Sequence, residues 1–307
     1  MANAPIVVFA YRRPDKLRSC LEHLARCPEA EESRLIIYVD GPKDERELPD
    51  VGKTCEVAER AIGFREVTVK PSPYNRGLAN SIISGVTSEL ESSDKVIVVE
   101  DDLEVAPGFL TFMNDALLTY ESTPEVISVH GYCYPTKDSL PEMFFLRGAD
   151  CWGWATWRRG WKLFEPSEEV LLDQLRSSSD LSLFNFNGSY NYLDMLISQI
   201  KGKTDSWAIR WYASAFLANK LTLYPGQSLV HNTGLDGSGT HGKGDRSHDV
   251  SLASSAPDVV WQYPVESTQA RQAFESFFRS LEPKRGGGLL DKVKKVLAQN
   301  STRQRRG

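Results

Sequence analysis

Hydrophobic positions in the first hundred residues form short runs separated by amphipathic segments. The stretches Ile6 to Ala10, Leu35 to Val39 and Val96 to Val99 are unbroken apolar runs. Such runs are typical of parallel strands that are buried on both faces. After the first run, apolar residues recur at helical spacing behind Pro14, which indicates a helix with one buried face. Strands and helices in this alternation predict an α/β fold with a mostly parallel central sheet flanked by helices.

The same patterns predict the remaining elements. We expect strands at 66–70, 126–129, 221–224 and 228–230, and helices at 75–90, 109–120, 205 onward and 269–281. No Gly-x-Gly-x-x-Gly sequence follows any of these strands. The fingerprint of dinucleotide-binding folds is therefore missing from the sequence.

Composition narrows the class of protein. The chain has 307 residues, 25% of them charged, and a net charge of −5, which gives no reason to expect nucleic acid as a partner. Its five cysteines are odd in number and form no CxxC pair, so we expect reduced thiols and a cytoplasmic protein. Neither a signal peptide nor an apolar run of about 20 residues is apparent, so no membrane-spanning segment is expected.

Three consecutive acids follow the third apolar run. Glu100, Asp101 and Asp102 come directly after Val99, at the carboxyl end of a predicted strand, where open α/β sheets bind ligands. Carboxylates this close repel one another, and a hard divalent cation such as Mg²⁺ or Mn²⁺ would offset the repulsion. The simpler alternative is a solvated acidic turn.

Other polar residues follow the neighbouring strands. Arg12 and Arg13 stand after the first strand, where an arginine could bind a diphosphate. Asp40 ends the second strand and could accept a hydrogen bond from a nucleobase. Asn75 and Arg76 begin a helix whose N-terminus would favour an anion. Taken singly, each of these residues is equally well explained as a surface charge or a helix cap.

The middle of the chain is rich in tryptophan. Four of the seven tryptophans lie between Trp152 and Trp161, and Trp154, Trp157 and Trp161 recur at helical spacing, which predicts core packing. The alternative is an aromatic wall that faces a sugar. The polar stretch 165–204 is expected to form a flap over an acceptor site, and the glycine-containing stretch 231–241 a flexible loop.

The acidic stretch resembles a known sequence. Residues 100–107 together with Phe109 resemble the metal-site segment of N-acetylglucosaminyltransferase I and its relatives, which are GT-A-fold glycosyltransferases with an acidic motif often called DXD. This resemblance implies that Asp102 binds the metal directly. It also implies that Glu100 and Asp101 contact the donor sugar and its ribose. The string 152–157 resembles bacterial, family 2-like glycosyltransferases from surface-polysaccharide clusters.

The resemblance extends to other positions. It implies that Arg13 and Asp40 hold the nucleotide, and that the loop 231–241 closes on the diphosphate. His231 and His241 are then candidate diphosphate or metal contacts, although both could equally be turn histidines.

The catalytic base is also implied by a local similarity. Residues 205–207 resemble the Trp-Asp-Asp-Trp segment that carries the base in that family, so Asp205 is the first candidate and Asp150 the second. The match is imperfect, because Thr204 and Ser206 replace a tryptophan and an acid. The structural alternative for Asp205 is a helix N-cap.

We therefore expect a metal-dependent inverting glycosyltransferase that moves a sugar from a nucleotide sugar, UDP-linked by preference, to a saccharide or lipid-linked acceptor. The expected domain is 1–284, with a nucleotide-sugar half at 1–108 and an acceptor half at 109–284. A sugar-1-phosphate nucleotidyltransferase is one alternative. Such an enzyme would require a glycine-rich phosphate loop after the first strand, whereas residues 11–14 are Tyr-Arg-Arg-Pro, which argues against it. A non-catalytic carbohydrate-binding protein is the other.

The C-terminal segment has its own pattern. A Gly hinge at 286–288 precedes a basic amphipathic tail, with apolar residues on one helical face at Leu289, Leu290, Val293, Val296 and Leu297. This pattern suits a helix on an anionic membrane surface, which predicts peripheral binding to the inner face of the membrane. A disordered tail or a helix docked on a partner is the alternative.

Overall fold

A computed structural model describes residues 3–236 and 246–281, apart from the side chain of Asp236. The predictions for His241 and for the tail at 285–307 lie outside the described residues. Among the helices within these ranges, none is both long enough and apolar enough to cross a membrane. All five cysteines lie within them and are free thiols.

One eight-stranded sheet forms the centre of the fold, with the strand order β3-β2-β1-β4-β8-β6-β9-β7. Six of these strands run in the same direction, and β7 and β8 are antiparallel to their neighbours. The strands are β1 Ile6–Ala10, β2 Arg34–Val39, β3 Glu66–Pro71, β4 Lys95–Glu100, β5 Leu103–Val105, β6 Val126–His130, β7 Met143–Arg147, β8 Trp154–Trp157, β9 Leu221–Pro225 and β10 Val230–Asn232. The short strands β5 and β10 form a separate antiparallel pair. The predicted α/β class, with a mostly parallel sheet flanked by helices, is confirmed.

The helices cover both faces of the sheet. They are α1 Pro14–Ala25, α2 Leu48–Glu59, α3 Leu78–Ser92, α4 Phe109–Thr119, α5 Arg158–Trp161, α6 Glu168–Ser177, α7 Leu181–Phe184, α8 Tyr192–Ile200, α9 Trp207–Leu217 and α10 Thr268–Leu281. Short 3₁₀ turns occur at Pro28–Glu32, Glu45–Glu47, Phe186–Gly188 and Thr233–Asp236. Helix α2 and strands β5, β7 and β8 were not predicted from the sequence.

The unbroken apolar runs follow from this two-sided cover. In β1, Ile6 and Val8 pack in the cluster that contains residues of α1 and α4. Their neighbours Val7 and Phe9 point to the opposite cluster, which contains residues of α3 and α9. Successive side chains of a strand alternate between faces, so a strand covered on both sides is apolar at every position.

The tryptophan-rich segment is partly a strand, although its tryptophans recur at helical spacing. Trp154 and Trp157 lie in β8, which pairs with β4 on one side and β6 on the other. Because they are three residues apart in a strand, their side chains point to opposite faces and enter different core clusters. Trp154, Trp157 and Trp161 are all buried, so the prediction of core packing is confirmed.

Candidate functional site

The acidic stretch lies where the central strands end. Strand β4 finishes at Glu100, and the backbone N–H of Asp101 donates to the carbonyl of Phe9 in β1 at 3.0 Å. The Asp101 carboxylate in turn accepts from the backbone N–H of Tyr11 at 3.2 Å. These two contacts fix Asp101 beside the end of β1, with a side chain that is only 3% exposed.

Arg13 joins two of the three acids. Its guanidinium forms an ion pair with Asp101 and lies 2.9 Å from Oδ2 of Asp102. Arg13 stands just before Pro14, the first residue of α1, and its backbone N–H donates to the carbonyl of Tyr11 at 2.7 Å. The tight turn between β1 and α1 therefore aims the guanidinium at the end of β4.

Negative charge exceeds positive charge in this cluster. The cluster holds three carboxylates, those of Glu100, Asp101 and Asp102, and the guanidinium of Arg13 pairs with only two of them, Asp101 and Asp102. Burial raises the pKa of Glu100 to about 8, and the charges on Asp102 and Asp101 add to the rise. Burial also raises the pKa of Asp101, against the opposing effect of Arg13. A further cation would relieve this repulsion.

The segment after β10 packs on Asp102. Thr233 donates to the Asp102 carbonyl from its backbone N–H at 2.8 Å and from its hydroxyl at 2.9 Å. A Cβ atom on Gly234 would collide with the Asp102 carboxylate, so glycine is what permits this approach. Apart from the glycines of the loop, no local sequence pattern indicates this contact.

The cluster fits a divalent cation that is shared with a ligand. Within the described ranges, no group of three or more His, Cys, Asp or Glu side chains forms a complete metal site by itself. However, oxygen donors with excess negative charge suit Mg²⁺ or Mn²⁺, which commonly takes one or two carboxylates together with substrate phosphates. Asp102 is the residue that would hold the ion.

Asp40 organises the segment that leads into α3. Its carboxylate accepts hydrogen bonds from the backbone N–H groups of Gly41, Arg76 and Gly77 at 2.8–3.0 Å, and from the Asn75 side chain at 3.1 Å. A carboxylate offers about four lone-pair sites, so these donors use most of its capacity. The structure thus brings Asp40, Asn75 and Arg76 together, and the Asp40 carboxylate holds the loop in place through these hydrogen bonds.

A cavity of about 250 Å³ opens beside this loop at the end of β2. Its lining includes Asp40, Lys70, Tyr74 and Arg76. The ring of Tyr74 is 62% exposed, which leaves an aromatic face available to a flat ligand. Sequence reasoning missed Tyr74, because nothing in its local pattern distinguishes it from a surface tyrosine.

Asp205 lies over the entrance to α3. A Cβ atom on Gly77 would lie 3.6 Å from Oδ2 of Asp205, so this carboxylate is next to the Asp40 loop. The side chain is 61% exposed and lies 4.0 Å from Arg210. The prediction that Asp205 caps the helix is wrong: α9 begins at Trp207, and the hydroxyl of Ser206 accepts from Ile209 N–H.

Asp150 has a different environment, enclosed by tyrosines. Its Oδ2 accepts from the hydroxyls of Tyr224 at 3.3 Å and Tyr134 at 3.4 Å. Burial raises the pKa of Asp150 to about 6, although these two hydrogen bonds oppose the rise. The rings of Tyr190 and Tyr192, tilted against each other with centroids 4.5 Å apart, lie within the electrostatic reach of the carboxylate. Three separate segments supply these four rings, so no sequence spacing could reveal the group.

Asp150 and the acidic cluster belong to one edge of the sheet. Burial raises the pKa of the Cys151 thiol, and the charges on Asp150, Glu100 and Asp102 raise it further, so the thiol lies near both groups. The next residue, Trp152, is only partly buried and donates its backbone N–H to Nε2 of His130 at 3.0 Å. Trp152 is therefore the tryptophan of the segment that remains available to a ligand.

His231 lies beside this edge in β10. Its Nδ1 is 3.9 Å from Glu104, its antiparallel partner in β5, and its Nε2 is 3.7 Å from Asp249. The imidazole thus contacts two carboxylates. Its predicted contact with a diphosphate or metal stays a prediction.

Comparison with known proteins gives weak similarities. No family model matches the chain, and no curated protein matches it. The 1–349 fragment of S. aureus TarS superposes with a TM-score of 0.39 and 12% identity, over 76% of this chain and 61% of that one. A second TarS structure gives 0.30 and 16%, over 48% and 25%. The mannosyltransferase PcManGT from Pyrobaculum calidifontis, in complex with GDP-Man and Mn²⁺, gives 0.29 and 13%, over 41% and 35%. Similarities this low identify neither a family nor a substrate.

Proposed function

We propose that this protein is a metal-dependent inverting glycosyltransferase, which transfers a sugar from a nucleotide-diphosphate sugar to a saccharide or lipid-linked acceptor. The observation that carries the proposal is the group formed by Arg13, Asp101 and Asp102 at the carboxyl end of the central strands. Ligands of open α/β sheets bind at this edge, and the group offers both carboxylate oxygens and a guanidinium.

The donor side of the site is built around the end of β2. In this proposal the nucleobase of a UDP-sugar enters the cavity beside Tyr74, and the loop held by Asp40 presents Asn75 and Arg76. An exposed aromatic ring can stack on a base, and Arg76 can meet the phosphates.

The acidic cluster serves the diphosphate and the sugar. Asp102 would hold Mn²⁺ or Mg²⁺, which when bound neutralises charge on the leaving diphosphate. Glu100 and Asp101 would contact the donor sugar and its ribose, and Arg13 would bind a phosphate oxygen. His231 and His241 keep their assignment as candidate diphosphate contacts.

The acceptor side is assigned to the edge near Trp152. Asp205 is the proposed general base, because its exposed carboxylate lies beside the donor loop at Gly77. Asp150 is the second candidate, because a carboxyl whose pKa is raised toward neutrality is suited to proton transfer. The partly exposed rings of Tyr134, Trp152 and Tyr190 give this side the aromatic surfaces that sugars bind.

The cellular setting of the proposal comes from the sequence. A role in bacterial surface-glycan synthesis, with peripheral binding to the inner face of the membrane, suits the basic amphipathic tail at 285–307. Sedimentation with anionic liposomes tests this: a chain that ends at Arg285 should bind less than the full chain, and equal binding would refute it.

Donor hydrolysis is the direct test of the proposed activity. Purified protein is incubated with a panel of nucleotide sugars, with and without Mn²⁺, and release of the nucleoside diphosphate is measured. We expect slow release from one donor that depends on Mn²⁺ and is accelerated by an acceptor. Release of pyrophosphate from a nucleoside triphosphate and a sugar 1-phosphate would indicate a nucleotidyltransferase instead. If neither the nucleoside diphosphate nor pyrophosphate is released, the protein is a binding protein.

A further inference from the structure

The two acids that share Arg13 are held in different ways. Asp101 is almost fully buried and receives the backbone N–H of Tyr11 in addition to the guanidinium. Asp102 is more exposed, at 13% of its side chain, and its carboxylate pairs with Arg13 at 2.9 Å. Arg13 is therefore anchored firmly at Asp101 and less firmly at Asp102.

The guanidinium lies against Oδ2 of Asp102, one of the two carboxylate oxygens that a metal ion could use. A divalent cation and a guanidinium nitrogen both require a lone pair of the Asp102 carboxylate, and like charges repel at such short range. Gly234 closes another side of the same carboxylate, since a Cβ atom there would collide with it. A cation can bind Oδ2 with full strength only if the nitrogen now at 2.9 Å withdraws.

The shape of the guanidinium group allows Arg13 to withdraw from Asp102 alone. The Arg13 nitrogens that contact Asp101 and Asp102 are different atoms, Nη2 and Nη1. A small movement can release Asp102 while the pair with Asp101 remains. The freed nitrogen is then a donor for another anion, and phosphate oxygens suit the guanidinium best.

We propose that Arg13 is an exchangeable counter-ion, which neutralises Asp102 in the metal-free protein and transfers from Asp102 to a donor phosphate when a divalent cation binds. This inference rests on the proposed function. It adds that the metal and the nucleoside diphosphate bind cooperatively through one side chain: the cation releases Arg13, and the phosphate then gives the released nitrogen a new partner. Such coupling is reciprocal, so each ligand tightens the binding of the other.

The test measures Mn²⁺ binding without nucleotide, by the electron paramagnetic resonance signal of the free ion. Arg13→Gln removes the competitor, so Mn²⁺ should bind about tenfold more tightly, the equivalent of one charge-assisted hydrogen bond. Arg13→Lys keeps the positive charge but loses the guanidinium group, whose two terminal nitrogens contact the two acids separately. Its single ammonium should stay with buried Asp101, so Mn²⁺ should again bind more tightly than in the wild type. In both variants, added UDP should increase Mn²⁺ affinity less than it does in the wild type.

Arg12→Gln is the matched control. Arg12 is exposed and pairs with Glu47 at 3.0 Å, so its loss removes one nearby charge without touching Asp102. Its Mn²⁺ affinity should stay within about twofold of the wild type, because exposed charges are largely screened.

The outcomes separate this inference from the proposed function. Equal or weaker Mn²⁺ binding in both Arg13 variants, with normal binding in the wild type, would overturn the exchange and leave the enzyme proposal intact. Tighter binding in Arg13→Gln but not in Arg13→Lys would also overturn it, because charge alone would then explain the effect. Failure of the wild type to bind Mn²⁺ with or without UDP would overturn both proposals.

Discussion

The two carboxylates that are candidates for the general base differ in their surroundings. Asp205 is largely exposed beside Gly77, whereas Asp150 lies beneath tyrosines and accepts two hydroxyl hydrogen bonds. Exposure gives Asp205 access to an acceptor hydroxyl, and enclosure gives Asp150 a perturbed pKa. The two properties point to different residues as the base, so kinetics must decide between them.

Replacement of each acid by asparagine distinguishes them. We expect Asp205→Asn to lower turnover by about 10²–10⁴-fold with donor affinity nearly unchanged, because general bases contribute in this range. Asp205 is not the helix cap, so stability should change little. Asp150→Asn should keep most of the turnover. The opposite result, near-normal turnover in Asp205→Asn and collapse in Asp150→Asn, would transfer the role to Asp150.

The raised pKa of Asp150 also predicts how stability depends on pH. The group titrates near 3.8 when unfolded and near 6 when folded, so between these values the native state binds more protons than the unfolded state. The free energy of unfolding contributed by Asp150 should therefore fall as pH rises through this window, by on the order of 2 kcal/mol.

Urea unfolding of the wild type and Asp150→Asn between about pH 4 and pH 7 measures this contribution, since other groups titrate alike in both proteins. The wild type should lose stability relative to the variant as pH rises. A constant difference across the window would show that folding leaves the pKa of Asp150 unchanged.

At the scale of elements, the loop before α3 depends on one side chain. Asp40→Asn replaces an oxygen that accepts backbone hydrogen bonds with an NH₂ group that cannot. We expect unfolding to become easier by about 1–3 kcal/mol, because buried donors lose their acceptor, and nucleoside diphosphate affinity to fall as the loop loosens. Asp44→Asn, at an exposed position that caps the 45–47 turn, is the matched control and should change affinity little.

Denaturation and calorimetry together check the role of Asp40. Loss of stability with unchanged affinity would restrict Asp40 to folding and would separate its loop from the ligand. Unchanged stability would contradict the hydrogen-bond network around this carboxylate.

Elements with a clear hydrophobic pattern were predictable from the sequence. Strands β1, β2 and β4 were found because burial on both faces forces continuous apolar runs. Strand β8 was not predicted, because Trp154, Trp157 and Trp161 recur at helical spacing, and this spacing also arises where a strand passes directly into a short helix. The periodicity of the sequence does not show where the strand ends and the helix begins.

The candidate site was predictable only in part, for a similar reason. Arg13, Asp40 and the acids 100–102 directly follow strands, and the parallel sheet brings such positions to one edge. The tyrosines around Asp150 and the approach of Gly234 to Asp102 depend on contacts between distant segments. No local pattern encodes those contacts. They required the three-dimensional fold.

At the scale of the whole molecule, strand order explains why the site forms. Strands β2, β1 and β4 are adjacent and parallel, so Asp40, Arg13 and the acidic cluster lie next to one another at their ends. Strand β8 starts beside the end of β4 and brings Trp152 and Asp150 to the same edge. Donor and acceptor candidates thus share one edge, although Arg13 and Asp150 are more than a hundred residues apart in the sequence.

The thermal midpoint of unfolding with and without UDP and Mn²⁺, for the wild type and Asp102→Asn, tests this account most directly. A ligand that binds only the folded state stabilises it by about 2.7 kcal/mol at a hundredfold excess over Kd. We predict that UDP and Mn²⁺ together raise the wild-type midpoint well beyond the effect of either alone, and that Asp102→Asn loses this synergy while folding normally. An equal, synergistic rise in Asp102→Asn, or no rise in the wild type with any nucleoside diphosphate, would contradict a metal and nucleotide site at Asp102.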